Sequence, residues 1–115
     1  MSSYHITVAQ AAARLPEQSA KQLRFVTLLA RGSMSLELYA PQGEDAQTPH
    51  TQDELYIVIA GHGEFVSGGK RQPFQPGDVL FVPAGVEHRF ERFSADFQTW
   101  VIFYGPEGGE QVTAA

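Results

Sequence analysis

Glycine and proline cut this chain into pieces too short for most helices. From Leu23 to Tyr104 the apolar residues come in brief alternations or brief runs, each closed by a turn signal. Leu23, Phe25, Thr27 and Leu29 share one parity and Arg24, Val26 and Leu28 the other, which is the period of a strand. After the Arg31-Gly32 turn, Ser33, Ser35, Glu37 and Tyr39 alternate with Met34, Leu36, Leu38 and Ala40, a half-buried strand with a readable polar face. Pro41 to Pro49 reads as a loop. Leu55 to Ile59 is a strand broken by Gly61-His62-Gly63, and Glu64 to Val66 leads to a hairpin turn at Gly68-Gly69. Phe74 lies between Pro73 and Pro76, so little ladder is expected there. Val79 to Val82 ends at Pro83-Ala84-Gly85, His88 to Phe90 begins another strand, and Phe97 to Tyr104 is the last. Seven or eight such strands predict an all-β sandwich, jelly roll or small barrel, and the lack of long helical patterns argues against βαβ units.

Thr7-Val8-Ala9-Gln10 has the form of a capping box, so a short helix is expected to run to Leu15 and stop at Pro16, with Val8, Ala12 and Leu15 as its stripe. It carries too little bulk for a core. Residues 1–20 are therefore expected to be an appendage, 21–106 the barrel, and 107–115 a flexible Gly- and Glu-rich tail. The last strand has aromatic or apolar residues in both parities, and a second copy is the simplest cover, so a homodimer is expected.

With 115 residues there is room for one modest core. A net charge of -5 with scattered basic residues disfavours a nucleic-acid groove. No apolar stretch approaches the ~18 residues of a membrane span, and no signal-peptide core is visible, so a soluble cytoplasmic protein is expected. Without cysteine, a metal would have to be held by imidazole and oxygen ligands.

His50 and Glu54, at i and i+4, point to one face of an extended chain, and His88 follows a Pro-Ala-Gly-Val-Glu turn into another strand. If the three meet, two imidazoles and a carboxylate converge. The bland alternatives are a half-exposed histidine beside a surface Asp53-Glu54 pair, and a His88 satisfied by hydrogen bonds. For a fourth ligand Gln47 offers a carbonyl oxygen, Gln52 shares the His50 face of an ideal strand, Thr48 is a poor neutral donor, and water is also available. Tyr56 shares the parity of His50 and Glu54, and its hydroxyl could donate to a substrate. Phe65, Phe81, Phe90 and Trp100 are pocket or plain core residues. Arg92 is four residues past His88 and either points inward or is a solvated surface arginine.

At these residues the chain resembles the small single-domain cupins. Their first motif is Gly, five residues, His-any-His, three or four residues, Glu, six residues, Gly; His50, Glu54 and Gly61 match it, and Thr48 stands where the first histidine would be. Their second is Gly, five residues, Pro-any-Gly, two residues, His, three residues, Asn; Gly77, Pro83, Gly85 and His88 match it, and Arg92 replaces the asparagine. The resemblance spans about Leu36 to Tyr104. It implies a cupin-type jelly-roll barrel with one divalent first-row ion (Fe, Mn, Ni or Zn) held by His50, Glu54 and His88, and the carbonyl oxygen of Gln47 is the expected fourth ligand. It further implies a metal-dependent enzyme acting on a small oxygen-rich or carbonyl compound by dioxygenation, decarboxylation or isomerisation, with Glu54 and Tyr56 as catalytic residues. Two other readings stand beside it: a small-molecule-binding cupin without turnover, and a vestigial barrel that serves as a structural dimer.

Overall fold

In a computed structural model, residues 5–19 and 22–111 of the chain are described. The elements are α1 (Val8–Ala12), β1 (Phe25–Arg31), β2 (Met34–Tyr39), β3 (Asp53–Ala60), β4 (Gly63–Ser67), β5 (Lys70–Phe74), β6 (Val79–Val82), β7 (His88–Glu91) and β8 (Gln98–Tyr104). The expected capping box is present: Gln10 N donates to Thr7 Oγ1 at 3.1 Å and Thr7 N to Gln10 Oε1 at 3.0 Å. The helix is shorter than the expected run to Leu15. Only Ala11 is buried, so one alanine-rich turn has no packing to propagate it.

The strands form two antiparallel sheets, β1-β2-β8-β3-β6 and β5-β4-β7. They close face to face as a jelly roll, which agrees with the all-β expectation. Two points of the sequence reading need correction. Pro73 does not stop the ladder: Gly63 to Ser67 pair with Phe74 to Lys70 throughout. This is possible because β5 is an edge strand, where a missing N–H breaks no second ladder. The described part of the tail expected over residues 107–115 is tied to the barrel through Glu110. Gly108 N donates to Thr51 O at 2.6 Å and Glu110 N to Asp53 Oδ2 at 2.9 Å.

The register explains which residues face inward. Thr27, Glu37, Val101, Tyr56 and Leu80 form one cross-strand row, and Ser35, Phe103, Glu54 and Val82 form the next. The polar parity of β2 thus lies on the concave face. On the convex face the rows are Leu36-Ile102-Leu55-Phe81 and Leu38-Trp100-Ile57-Val79. Leu38 is fully buried, whereas Phe81 and Val79 are 50% and 61% exposed.

Between the sheets lies an aromatic core in which Tyr56 of β3 meets Phe90 of β7 edge-on at 4.9 Å. Phe90 packs, tilted, at 4.6 Å against Phe97, and Phe74 lies 4.9 Å from Phe97. Each ring buries a large apolar area, worth roughly 2–3 kcal/mol in transfer terms. This layer lies beneath the polar residues described next.

Candidate metal centre

His50, just before β3, Glu54 on β3 and His88 on β7 come together, with one ligand-type atom from each within 4.8 Å of the others. His88 Nε2 is 3.0 Å and His50 Nε2 3.9 Å from Glu54 Oε1. Glu54 and His88 are buried; His50 is half-buried at the opening. Backbone hydrogen bonds hold the two halves in place. Gly85 N donates to His50 O at 2.7 Å, and Ala84 N donates to Asp53 Oδ1 at 3.0 Å. Gly85 takes φ +80° in that turn, a conformation that favours glycine. Asp53 is therefore a buried clip and not part of a surface acid pair.

Proton placement can be worked out along this network. His88 Nδ1 lies 2.8 Å from Val86 O, which can only accept, so Nδ1 carries the proton. In the neutral ring, Nε2 then presents a lone pair to Glu54 Oε1. That oxygen is buried, and no N–H or O–H is directed at it. Asp45 holds Gln47 in the same way. Asp45, itself buried, accepts from Gln47 Nε2 at 2.7 Å, Gln47 N at 3.2 Å, Phe90 N at 2.8 Å and the Tyr39 hydroxyl. Because a carboxylate only accepts, the Gln47 amide must turn its Oε1 the other way. There Oε1 lies 3.3 Å from His50 Nε2 and accepts from the Tyr56 hydroxyl at 3.0 Å. Tyr56 Oη is also 3.1 Å from His88 Nε2.

Two imidazole nitrogens and two oxygens thus converge on one spot. This donor set fits a divalent first-row cation, and the undonated Glu54 oxygen is the atom such a cation would satisfy. Burial lowers the pKa of His50, and the Glu54 charge only partly offsets this. Burial also works to lower that of His88, but Glu54 and the Val86 carbonyl outweigh it and the pKa rises. Burial, with Glu54 nearby, raises Tyr56 well above the usual phenol range, so its proton stays on.

Beside this group opens a cavity of about 290 Å³ lined by Leu23, Phe25, Glu37, Tyr39, Gln47, His50, Glu54, Val101 and Phe103. Of the aromatics singled out in the sequence, Phe65 and Phe90 are core, while Phe81 and Trp100 belong to the convex face. Phe25 and Phe103 line the cavity instead. Gln52 is not at the site: residues 51–52 bend before β3 begins, which breaks the ideal-strand parity, and its amide donates to Ser33 O and Gly105 O. Arg92 points outward. It ends β7 at φ +52°, so parity with His88 is lost, and its guanidinium sits 3.4 Å from Glu64. His62 is exposed and outside the group.

Sequence reasoning missed Asp45 and Glu37. Asp45 lies in a loop without periodicity, where burial has no signature. Glu37 was readable as polar parity beside Tyr39, but not as lining a cavity. Its pKa is pushed up to about 7, first by burial and then by the Glu54 charge.

An antiparallel double-sheet barrel with a His/Glu/His group at its mouth defines a class of small β-barrel proteins with a potential metal site. The cupin-domain family model matches residues 35–100, more than half of the chain, and the chain belongs to the cupin family. An uncharacterised protein of Streptomyces coelicolor is 37% identical over 93 residues, covering 79% of this chain and 89% of that protein. Acireductone dioxygenase of Bacillus velezensis is 41% identical over 46 residues, which is 36% of this chain and only 26% of that enzyme. Among solved structures, a cupin 2 conserved barrel protein from Salinispora arenicola superposes with a TM-score of 0.63 at 26% identity, covering 81% of this chain and 82% of its own. A double-stranded β-helix protein from Klebsiella pneumoniae superposes at 0.72 with 18% identity, covering 89% and 90% of the two chains, and bears on the fold alone.

Proposed function

We propose that this cupin holds one divalent first-row metal ion (Fe, Mn, Ni or Zn) through His50, Glu54 and His88, with Gln47 Oε1 as a fourth, weaker donor. It acts on a small oxygen-rich or carbonyl compound, with dioxygenation as the leading chemistry. The observation that carries the reading is the buried Glu54 Oε1, which receives no hydrogen bond while the His88 ring is neutral and its Nε2 lone pair faces that oxygen at 3.0 Å. The local similarity to acireductone dioxygenase supports the reaction class. When bound, the ion would supply Lewis acidity and open coordination positions to oxygen atoms of a substrate.

The protein's own residues divide the remaining tasks. Val86 O fixes the His88 ring and Asp45 fixes the Gln47 amide, so the donors are oriented before anything binds. The Tyr56 hydroxyl sits between Gln47 and His88, where it can donate to a substrate oxygen. Leu23, Phe25, Val101 and Phe103 give the cavity an apolar side. The convex face, with its exposed Val79 and Phe81, is the surface on which two copies would pair as a homodimer.

Elemental analysis of protein never exposed to chelator tests the reading. One metal per chain in the wild type, lost in the His50→Ala/His88→Ala variant, is the expected result. Equal metal in both removes the assigned site. A second reading, a small-molecule binder without turnover, is favoured by Thr48 in the place of the first histidine. It would be upheld by ligand affinity that survives metal removal.

A further inference from the structure

We propose that Glu37 is the proton acceptor of this cavity and sets its charge preference, so that the site takes neutral, protic, oxygen-chelating compounds in preference to carboxylate dianions. This rests on the metal reading above and adds to it the class of ligand. Glu37 reaches the cavity from β2, a strand that contributes nothing to the metal group. In the sheet, β8 stands between β2 and β3. Glu37 pairs with Val101 and Glu54 with Phe103, one step along the same inward face. The two carboxylates are thus two strand spacings apart, roughly 10 Å along the hydrogen-bonding direction. A small molecule held at the histidines would lie between them.

The cavity's charges point the same way. Among the described residues its titratable lining groups are Glu37, Tyr39, His50 and Glu54, and neither lysine nor arginine is one of them. Arg92, which stands where the second motif has asparagine, is drawn outward to Glu64. A dianionic ligand would therefore meet a second carboxylate, with no basic side chain among the described lining residues to offset it. A neutral ligand with an acidic O–H meets a base instead. As it binds, its O–H bond breaks and the electron pair stays on the ligand oxygen as the donor. The proton passes to a Glu37 carboxylate oxygen, and no oxidant or reductant is needed. The raised pKa of Glu37, about 7, suits it to take and return a proton near neutrality. Phe25 and Phe103 leave room for a short apolar group on such a ligand.

Acetohydroxamic acid and oxalate form a matched pair of oxygen chelators, one neutral and protic, the other a dianion. Titration calorimetry of the Mn(II)-loaded protein at about pH 8, above the Glu37 pKa so that its carboxylate is free to accept, in two buffers of different protonation enthalpy, gives affinity and proton release together. The wild type is expected to bind hydroxamate with little net proton release. Glu37→Gln is expected to release about one proton, and its hydroxamate-to-oxalate affinity ratio to fall roughly tenfold. Glu37→Asp should restore the retained proton. An unchanged ratio in Glu37→Gln overturns the proposal while leaving the metal site standing. So does a full proton released by the wild type, a measurement that needs no variant. Failure of the wild type to bind Mn(II), Fe(II), Ni(II) and Zn(II) alike overturns both readings.

Discussion

Glu54 Oε1 and His88 Nε2 stand 3.0 Å apart in the buried mouth of the barrel, and the ring's one committed proton is on the other side, at Val86 O. Two lone pairs at that distance repel unless a cation or proton lies between them. Glu54→Gln supplies an amide that can turn its N–H towards Nε2. In chelator-treated protein this variant should match or exceed the wild type in stability, by about 1 kcal/mol. With metal added the order should reverse, because only the wild type gains from binding. Paired thermal melts with and without chelator check both halves.

Asp45 accepts four hydrogen bonds from three residues. Asp45→Asn puts an N–H group against at least one of those donors. A loss of about 2–4 kcal/mol in urea unfolding is expected. Metal affinity should drop by roughly 10–100-fold as Gln47 loses its orientation, which competition with a coloured chelator would measure.

Glu37 makes the metal-free barrel sensitive to pH. Its folded pKa, about 7, lies above the ordinary glutamate value of 4.5, so between those values the native state binds more protons than the unfolded one. The stabilising contribution is fully present below about 4.5, and it is lost as pH rises through about 7. Glu37→Gln should flatten that descent in a pH series of unfolding curves, and an equal slope in both proteins would refute the assignment.

Gly61 is a position where geometry leaves no substitute. Its φ is +88°, and a Cβ there would stand 2.5 Å from Phe97 Cα, a backbone atom that cannot rotate away. Gly61→Ala should cost about 3 kcal/mol or more, or abolish folding, as judged by circular dichroism and expression in the soluble fraction.

The barrel was legible in the sequence because turns and periodicity are local. The Gly77, Pro83, Gly85 and His88 spacing encodes one turn, and the alternation in β2 encodes one strand. The meeting of His50 with Glu54 and His88 followed from matched motif spacing. Direction relative to a cavity was not legible. The same alternation that made Glu37 look like an ordinary polar-face residue places it inside, because a barrel mouth is polar where a core would be apolar. Gln52 and Arg92 were left open for a different reason: each lies just beyond a strand end, and a bend or a left-handed residue ends the parity there. Asp45 depends wholly on partners distant in sequence, Phe90 among them.

The metal group straddles the two sheets, with Glu54 on one and His88 on the other, and the aromatic layer of Tyr56, Phe90 and Phe97 lies directly beneath. Those rings act as a shim. Their thickness sets the gap across which carboxylate and imidazole face each other, as a spacer sets the jaws of a calliper. Trimming a ring far from any ligand, as in Phe97→Leu, would alter the grip on an ion without touching a single donor atom. Natural variation in this hidden layer is thus a means by which one barrel could be tuned from one ion to another.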